Sequence, residues 1–237
     1  MNQVIQKFKT TRVRRLLVTT IALGCAFTTA AHAQYQTDDR GDRQGKGHKI
    51  VVPTTPTLIT PREGNTVFAV GHAEGTQGYV CLPTAPGAST ASWTVNGARP
   101  EATLFAGEDV QIITHFLSPN TNPNGAQTPV PFGNATWQSS HDTSKVWAAV
   151  LHNNVVVAGT DLDSCPNNGS IPCLLLETVG SEEGPQGGTM LSKTTFVQRL
   201  NTNGGSAPAT GCFTSADVGH QSLVPYTADY FFYRKSN

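Results

Sequence analysis

Short runs of β-branched and aromatic residues recur along the chain, separated by clusters of glycine, proline, asparagine and aspartate. This regular alternation of strand-like runs and turn residues is typical of a β-sandwich or barrel. Outside the first 33 residues, no stretch of a dozen residues has the 3.6-residue apolar period of a helix. The pattern predicts strands at 49–52, 66–72, 78–82, 92–95, 101–105, 110–117, 135–138, 145–151, 155–158, 174–179, 190–200 and 226–233.

Turn signals and apolar faces indicate how these strands are arranged. Asn96-Gly97 predicts a two-residue hairpin, because both positions of such a turn favour residues that tolerate positive φ. His152-Asn153-Asn154 predicts a second hairpin, and the run 110–117, apolar on both faces, predicts a central strand. We therefore expect one all-β domain, an antiparallel β-sandwich of jelly-roll-like or barrel-like form, with long loops at 118–134 and 180–189.

Residues 1–33 have the pattern of a cleavable export signal. The basic stretch ends at Arg15, an apolar run follows at 16–27, and Ala31-His32-Ala33 has the small-x-small pattern that a signal peptidase needs. The apolar run is shorter than the ~20 residues of a membrane span, and no second long apolar run follows it. We expect a secreted or periplasmic protein that has no membrane span after cleavage near Ala33.

The folded domain is expected to begin after a polar arm. Residues 34–49 have mixed charge and almost nothing to bury, which predicts a flexible arm followed by a domain at 50–237. Without residues 1–33, 11 lysines and arginines stand against 16 aspartates and glutamates, a net charge of −5. A weakly acidic domain is a poor candidate for binding nucleic acid, since lysine and arginine supply most of that affinity.

Four cysteines remain after cleavage, and an even number in an exported chain predicts disulfides. Four cysteines allow three pairings, of which we favour Cys165–Cys173 across a short loop and Cys81–Cys212 as a long-range bridge. The longer loop gives the larger stabilisation, roughly 4–5 kcal/mol in the chain-entropy model. No CxxC pair is present, so a zinc site built on cysteines is not expected.

Aromatic residues supply the candidate binding site. Trp137 lies near the end of a predicted strand and is followed by polar residues, an arrangement that suits the mouth of a small-ligand site. Two histidines lie at or near strand ends in the same third of the chain. The predicted ligand-binding residues are Trp137, Gln138, His115, His141 and Asp142.

Catalytic patterns are weak or missing. The nucleophile elbow GxSxG is absent, and the close acidic pairs Glu182-Glu183 and Asp161/Asp163 fall in turn-rich segments. His115, His141 and Asp142 are residue types that bind zinc or copper, but no HxH or HxxxH spacing fixes such a site. We therefore predict no catalytic residue, no metal and no cofactor.

The order of local patterns from residue 49 onward resembles a family of secreted bacterial and fungal proteins classed as a domain of unknown function. The matching segments are EATLF (101–105), THF (114–116), ATWQSS (135–140), SIPCLLLETV (170–179), SKTTFVQRLNTNGGSAPATGC (192–212) and VPYTADYFFY (224–233). The resemblance implies a secreted β-rich domain and no established activity. Some fungal members carry the label malate dehydrogenase, but this chain has no GxGxxG motif between a strand and a helix.

Three hypotheses follow. The first is a non-enzymatic exported protein that binds a cell-surface or extracellular ligand, with carbohydrate as one candidate class. The second is an extracellular metal-dependent or hydrolytic enzyme that uses His115, His141 and Asp142. The third is a structural envelope or matrix protein, for which we expect a filled mouth around Trp137 instead of an open pocket.

Overall fold

Eight antiparallel strands, each paired with the next along the chain, form one closed barrel. The computed structural model describes residues 49–107, 109–118, 134–156 and 170–236. Strand β8 pairs with β1 over most of its length and closes the ring. The strands are β1 (Asn65–Pro83), β2 (Ala91–Ala106), β3 (Val110–Ser118), β4 (Asn134–Ser139), β5 (Lys145–Val156), β6 (Cys173–Glu182), β7 (Thr194–Gly204) and β8 (Gln221–Lys235).

The predicted all-β, antiparallel, single-domain class is confirmed, whereas the two-layered sandwich is not. An alternating apolar pattern is shared by sandwiches and barrels, so it does not separate them. The sheet closes into a ring because its last strand pairs with its first. Strand β1 has 19 residues and β8 has 15, and the two are paired over most of this length. The central position predicted for 110–117 is confirmed, since β3 pairs with β2 on one side and β4 on the other.

Several predicted short strands are halves of one long strand. Strand β1 contains the runs 66–72 and 78–82, and β2 contains 92–95 and 101–105. The hairpin predicted at Asn96-Gly97 is wrong: the pairing of β2 with β1 shifts register there and then continues. The hairpin predicted at 152–154 is also wrong, because β5 runs through it with a register shift against β6. A bulge absorbs extra residues in one strand without reversing the chain.

The first described segment is a covering strap and not a strand. The strand predicted at 49–52 is wrong; residues 49–56 have no regular structure and lead into a 3-10 turn at Thr57–Ile59. Ile59 is fully buried in a cluster on the outer face of the barrel. The buried side chains of that cluster are Ile59, Cys173, Leu175, Phe196, Leu200, Phe231 and Tyr233.

The barrel interior is filled at one end and lined by aromatic and polar groups at the other. Inward side chains alternate with outward ones along each strand, as the pleat requires. At the end where the odd-numbered strands begin, the interior contains fully buried Leu104, Ile113, Val146, Val197 and Phe232. The described residues do not fill the end where those strands finish, and the candidate site lies there.

One predicted disulfide is confirmed. Cys81 near the end of β1 is bonded to Cys212 in the segment between β7 and β8. Cys173 is buried and disulfide-bonded, and Cys165, the partner predicted for it, lies outside the described residues.

Two regional predictions are not tested. The predicted signal peptide (1–33) and nearly all of the predicted arm (34–49) lie outside the described residues. Among the residues that the structure describes, no helix combines the length and apolar character needed to cross a bilayer.

Candidate functional site

A cavity of about 420 Å³ opens at the end of the barrel where the odd-numbered strands finish. Its walls are largely apolar and come from the interior faces of β4 and β6, together with Ile171 and Pro172. Val95 and Val150 line its exposed rim. The polar and aromatic side chains on its wall are Gln77, Tyr79, His115, Trp137, Arg199 and Tyr230.

Three stacked or tilted rings form one wall of this cavity. His115 on β3 is paired directly with Trp137 on β4, so their side chains leave the sheet side by side. The two rings are parallel to within 6°, with centroids 4.3 Å apart. Tyr230 on β8 contacts both rings at a tilt, with centroids 5.4 Å from His115 and 5.7 Å from Trp137. The cluster packs three rings together on the inside of the barrel, and all three residues are almost fully buried.

His115 is held as a neutral imidazole. Its ring is 3% exposed, and burial lowers its pKa from 6.5 to about 4; the charge of Arg199 acts in the same direction. Nδ1 lies 2.9 Å from the carbonyl oxygen of Thr136. A carbonyl only accepts, so Nδ1 of the neutral ring carries the proton and donates it, and Nε2 is left as an acceptor.

Arg199 places a permanent positive charge beside this aromatic wall. Its side chain is one of those on β7 that point into the barrel, and it is 9% exposed. It is paired with Leu174 on β6 and with Tyr230 on β8. Its Nε and Nη2 atoms donate to the carbonyl oxygen of Pro172 at 3.0 and 2.8 Å. Within the described part of the chain, no carboxylate forms an ion pair with it.

Two tyrosines in this part of the barrel hold their protons more tightly than a free phenol does. Burial raises the pKa of Tyr79 and of Tyr226 above the usual value for a phenol. The hydroxyl of Tyr79 donates to the carbonyl oxygen of Gly205 at 2.6 Å, and the hydroxyls of Tyr226 and Tyr230 lie 3.1 Å apart. Neither Tyr79 nor Tyr226 therefore supplies a negative charge to balance Arg199.

The structure brings together two of the five predicted site residues. His115 and Trp137 share the cavity wall, whereas Gln138 is the next residue along β4 and leaves the sheet on the opposite face. His141 is exposed in the turn after β4. His141 and Asp142 do not line this cavity.

Asp142 organises a turn. One carboxylate oxygen, Oδ1, accepts from the backbone N–H and the hydroxyl of Ser144, and Oδ2 accepts from the backbone N–H of Met190 at 2.8 Å. Partial burial opposes the charge, but these hydrogen bonds outweigh it and lower the pKa of Asp142 to about 2. The contacts tie the turn after β4 to the segment before β7.

A metal centre at His115, His141 and Asp142 is not assembled. His115 points into the barrel, while the other two residues lie in the turn outside it. Among the described side chains, no three of the types histidine, cysteine, aspartate and glutamate come close enough to hold a metal ion.

Arg199 is the residue of this site that sequence reasoning missed. In the run FVQRL both alternating rows mix polar and apolar residues, so the pattern does not say which row faces inward. The sequence therefore has no signal that separates a buried Arg199 from the exposed arginine that is more common.

The comparisons with known proteins show the family alone. No curated protein and no solved structure matches this chain. One family model, described as "Protein of unknown function (DUF3455)", matches residues 61–234, a range that contains every residue lining the cavity. The label malate dehydrogenase is unsupported, because a dinucleotide-binding fold needs parallel strands flanked by helices and these strands are antiparallel. The predicted family is confirmed, and the chain belongs to this family of proteins of unknown function.

Proposed function

We propose that the protein is an exported, non-enzymatic barrel that binds one small extracellular ligand in the cavity beside His115 and Trp137. The observation that carries this proposal is the stacked ring pair on the wall of an open, largely apolar cavity. The volume of about 420 Å³ lies in the range of small-molecule sites, ~300–1,000 Å³. Eight-stranded barrels have an interior wide enough for one small ligand.

The chemistry of the lining favours binding over catalysis. The described residues on the cavity wall include no serine, threonine, cysteine, lysine or carboxylate. A nucleophile with its base, or a pair of carboxylates, is what hydrolysis of an ester, peptide or glycoside ordinarily uses. His115 can accept a hydrogen bond through Nε2, but the described residues on the wall include no serine, threonine or cysteine that it could activate as a nucleophile.

The lining also narrows the class of ligand. A sugar presents a hydroxyl on most of its carbons, and each buried hydroxyl needs a hydrogen-bond partner. The cavity wall is largely apolar and includes aromatic side chains, so a compact aromatic or apolar molecule suits it better than a carbohydrate. A structural protein without a ligand predicts a filled mouth around Trp137, and the open cavity is an argument against that alternative.

The disulfide supports export. Cys81–Cys212 is a disulfide, and disulfides form and persist mainly in oxidising compartments outside the cytoplasm. The predicted leader at 1–33 agrees with this compartment, and the mature protein would then meet its ligand in the periplasm or in the medium.

Titration with the neutral fluorescent probe N-phenyl-naphthylamine tests the proposal. We expect saturable fluorescence enhancement at one site per chain, because the probe has two aromatic rings and no charge. Ala135 is half-buried on the cavity wall, so Ala135→Phe fills the space and should weaken binding at least ~10-fold.

The matched control places the same substitution outside the barrel. Ala106 is exposed at the end of β2, and Ala106→Phe should leave the affinity unchanged. Absence of saturable binding to the wild-type protein, or equal weakening by both variants, would contradict a ligand site in this cavity.

A further inference from the structure

The cavity wall carries a permanent charge that the described protein does not neutralise. Arg199 is 9% exposed, and a guanidinium does not lose its proton at any pH that a folded protein meets. An unpaired buried charge is costly, since desolvation removes its water without supplying a counter-charge. Its charge also acts on His115 and Tyr79, which line the same cavity, and on the nearby Tyr226.

The free edge of this guanidinium is the part that matches two oxygens. Nε and one N–H of Nη2 are engaged by the carbonyl oxygen of Pro172 along one edge of the planar group. The adjacent edge has the N–H groups of Nη1 and the second N–H of Nη2, and no hydrogen bond in the described part of the chain uses Nη1. Two parallel N–H groups on such an edge bind a carboxylate in a bidentate manner.

A second unmet donor belongs to a residue of the same wall and lies beneath its surface. The indole Nε1 of Trp137 has no hydrogen-bond partner among the described residues. It is also cut off from solvent, because Trp137 is only 1% exposed. Together with Arg199 it gives the lining two residues with unmet donors, beside the free acceptor Nε2 of His115. An ionised carboxylate, which only accepts, complements these donors; a cationic ligand does not.

We propose that the ligand is a small aromatic carboxylate, whose carboxylate group binds the free edge of Arg199 while its ring lies against the His115–Trp137 stack. A single negative charge balances the one guanidinium. A phosphate dianion leaves an extra charge in an apolar cavity and is disfavoured for that reason. This inference rests on the proposed function, since it assumes that the cavity binds a ligand.

Competition between two isosteric compounds tests the role of charge. Naphthoate and its amide, naphthamide, have the same ring system and nearly the same shape, but only naphthoate is negatively charged at pH 7. Each is used to displace N-phenyl-naphthylamine from the wild-type protein. We expect naphthoate to compete at least ~10-fold better, because a hydrogen-bonded charge pair outweighs a neutral contact.

Two arginine variants assign this preference. Arg199→Gln retains a donor for the Pro172 carbonyl and removes the charge, so we expect it to abolish the preference for naphthoate while the neutral probe still binds. Arg234 is exposed and lies over the ring of Phe68 outside the cavity, so Arg234→Gln should retain the full preference.

The outcomes separate the two proposals. If the neutral probe fails to bind the wild-type protein, the proposed function itself is wrong. If the probe binds but naphthoate and naphthamide compete equally with the wild-type protein, the cavity binds ligands without charge selection and the present inference is overturned. A preference that survives in Arg199→Gln also overturns it. Because the comparison on the wild-type protein stands alone, the test does not depend on the variant folding.

Discussion

Burial decides the protonation state of His115. The ring is covered by Trp137 on one face and approached by Tyr230 at a tilt, so water does not solvate its charged form. Desolvation is the largest cause of its lowered pKa, and the hydrogen bond to Thr136 opposes that shift without cancelling it. The neutral ring is what permits close stacking beside the cation of Arg199.

This protonation state predicts a pH dependence of stability. In the unfolded chain His115 takes up a proton near pH 6.5, and in the folded protein it does so only near pH 4. The unfolded state therefore binds more protons between these values, so stability is complete above about pH 6.5, falls as the pH drops through this window, and levels off below pH 4. The total loss due to His115 is about 3 kcal/mol, at ~1.4 kcal/mol per pKa unit.

His115→Phe isolates this contribution. The variant retains a flat ring beside Trp137 but does not titrate, so urea unfolding at a series of pH values should show a shallower decline for the variant than for the wild-type protein. The exposed histidines contribute equally to both proteins and cancel in the difference. Parallel stability profiles between pH 4 and 7 would show that His115 is not held neutral by the fold.

At the scale of the element, the main surprise is the length of the strands. Asn96-Gly97 favours a hairpin in local terms, and the sequence has no signal that overrides it. In the barrel the partner strand β1 runs on past this point, and the pairing resumes after a shift between Gln77 and Tyr79. Long-range pairing therefore wins over local turn chemistry, and a prediction from local signals breaks one strand into two.

The strap, residues 49–59, supplies a second case in which tertiary contacts determine the local structure. Its residues favour an extended conformation but pair with no strand; instead, the 3-10 turn places Ile59 among outward side chains of β6, β7 and β8. The side-chain amide of Gln198 donates to the carbonyl oxygen of Ile59, and the hydroxyl of Tyr233 donates to Gln198 at 2.7 Å. These contacts fasten the strap to the outer wall.

Two adjacent substitutions measure what the strap contributes. Ile59 is 0% exposed and Leu58 is 64% exposed, so the same truncation removes buried packing at one position and little at the other. Ile59→Ala should lower the free energy of unfolding by about 2–4 kcal/mol, and Leu58→Ala by less than ~0.5 kcal/mol, as judged by urea denaturation. Similar losses in the two variants would contradict the packing of the strap on the barrel.

At the scale of the whole molecule, closure of the barrel creates the site, and that step is not visible in the sequence. The spacing of the strand-like runs predicts the all-β fold class. The position of Trp137 near the end of a predicted strand marks it as a candidate ligand-binding residue. Pairing of β3 with β4 brings His115 next to Trp137. Arg199 lies on β7, three strands away from β4, and it reaches the same cavity only because β8 pairs with β1 and closes the barrel. His141 lies near Trp137 in the chain but outside the barrel, since the chain turns away after β4.

The disulfide stabilises this closed arrangement. Cys81 and Cys212 are 131 residues apart, and the bridge holds the segment before β8 against the end of β1, where Cys81 and His220 also share a backbone hydrogen bond. Replacing both cysteines by serine should lower the free energy of unfolding by roughly 4–5 kcal/mol, because the unfolded chain regains the entropy of a long open loop. The double variant is preferable to a reducing agent, since reduction would also break the disulfide of Cys173.

Urea denaturation gives the stability loss, and N-phenyl-naphthylamine binding below the transition gives the state of the cavity. Neither Cys81 nor Cys212 lines the cavity, so the folded fraction of the double variant should bind the probe with the affinity of the wild-type protein. An unchanged midpoint would mean that β1–β8 pairing alone closes the barrel. Lost binding in a protein that remains folded would instead mean that the bridge, and not strand pairing alone, shapes the cavity mouth.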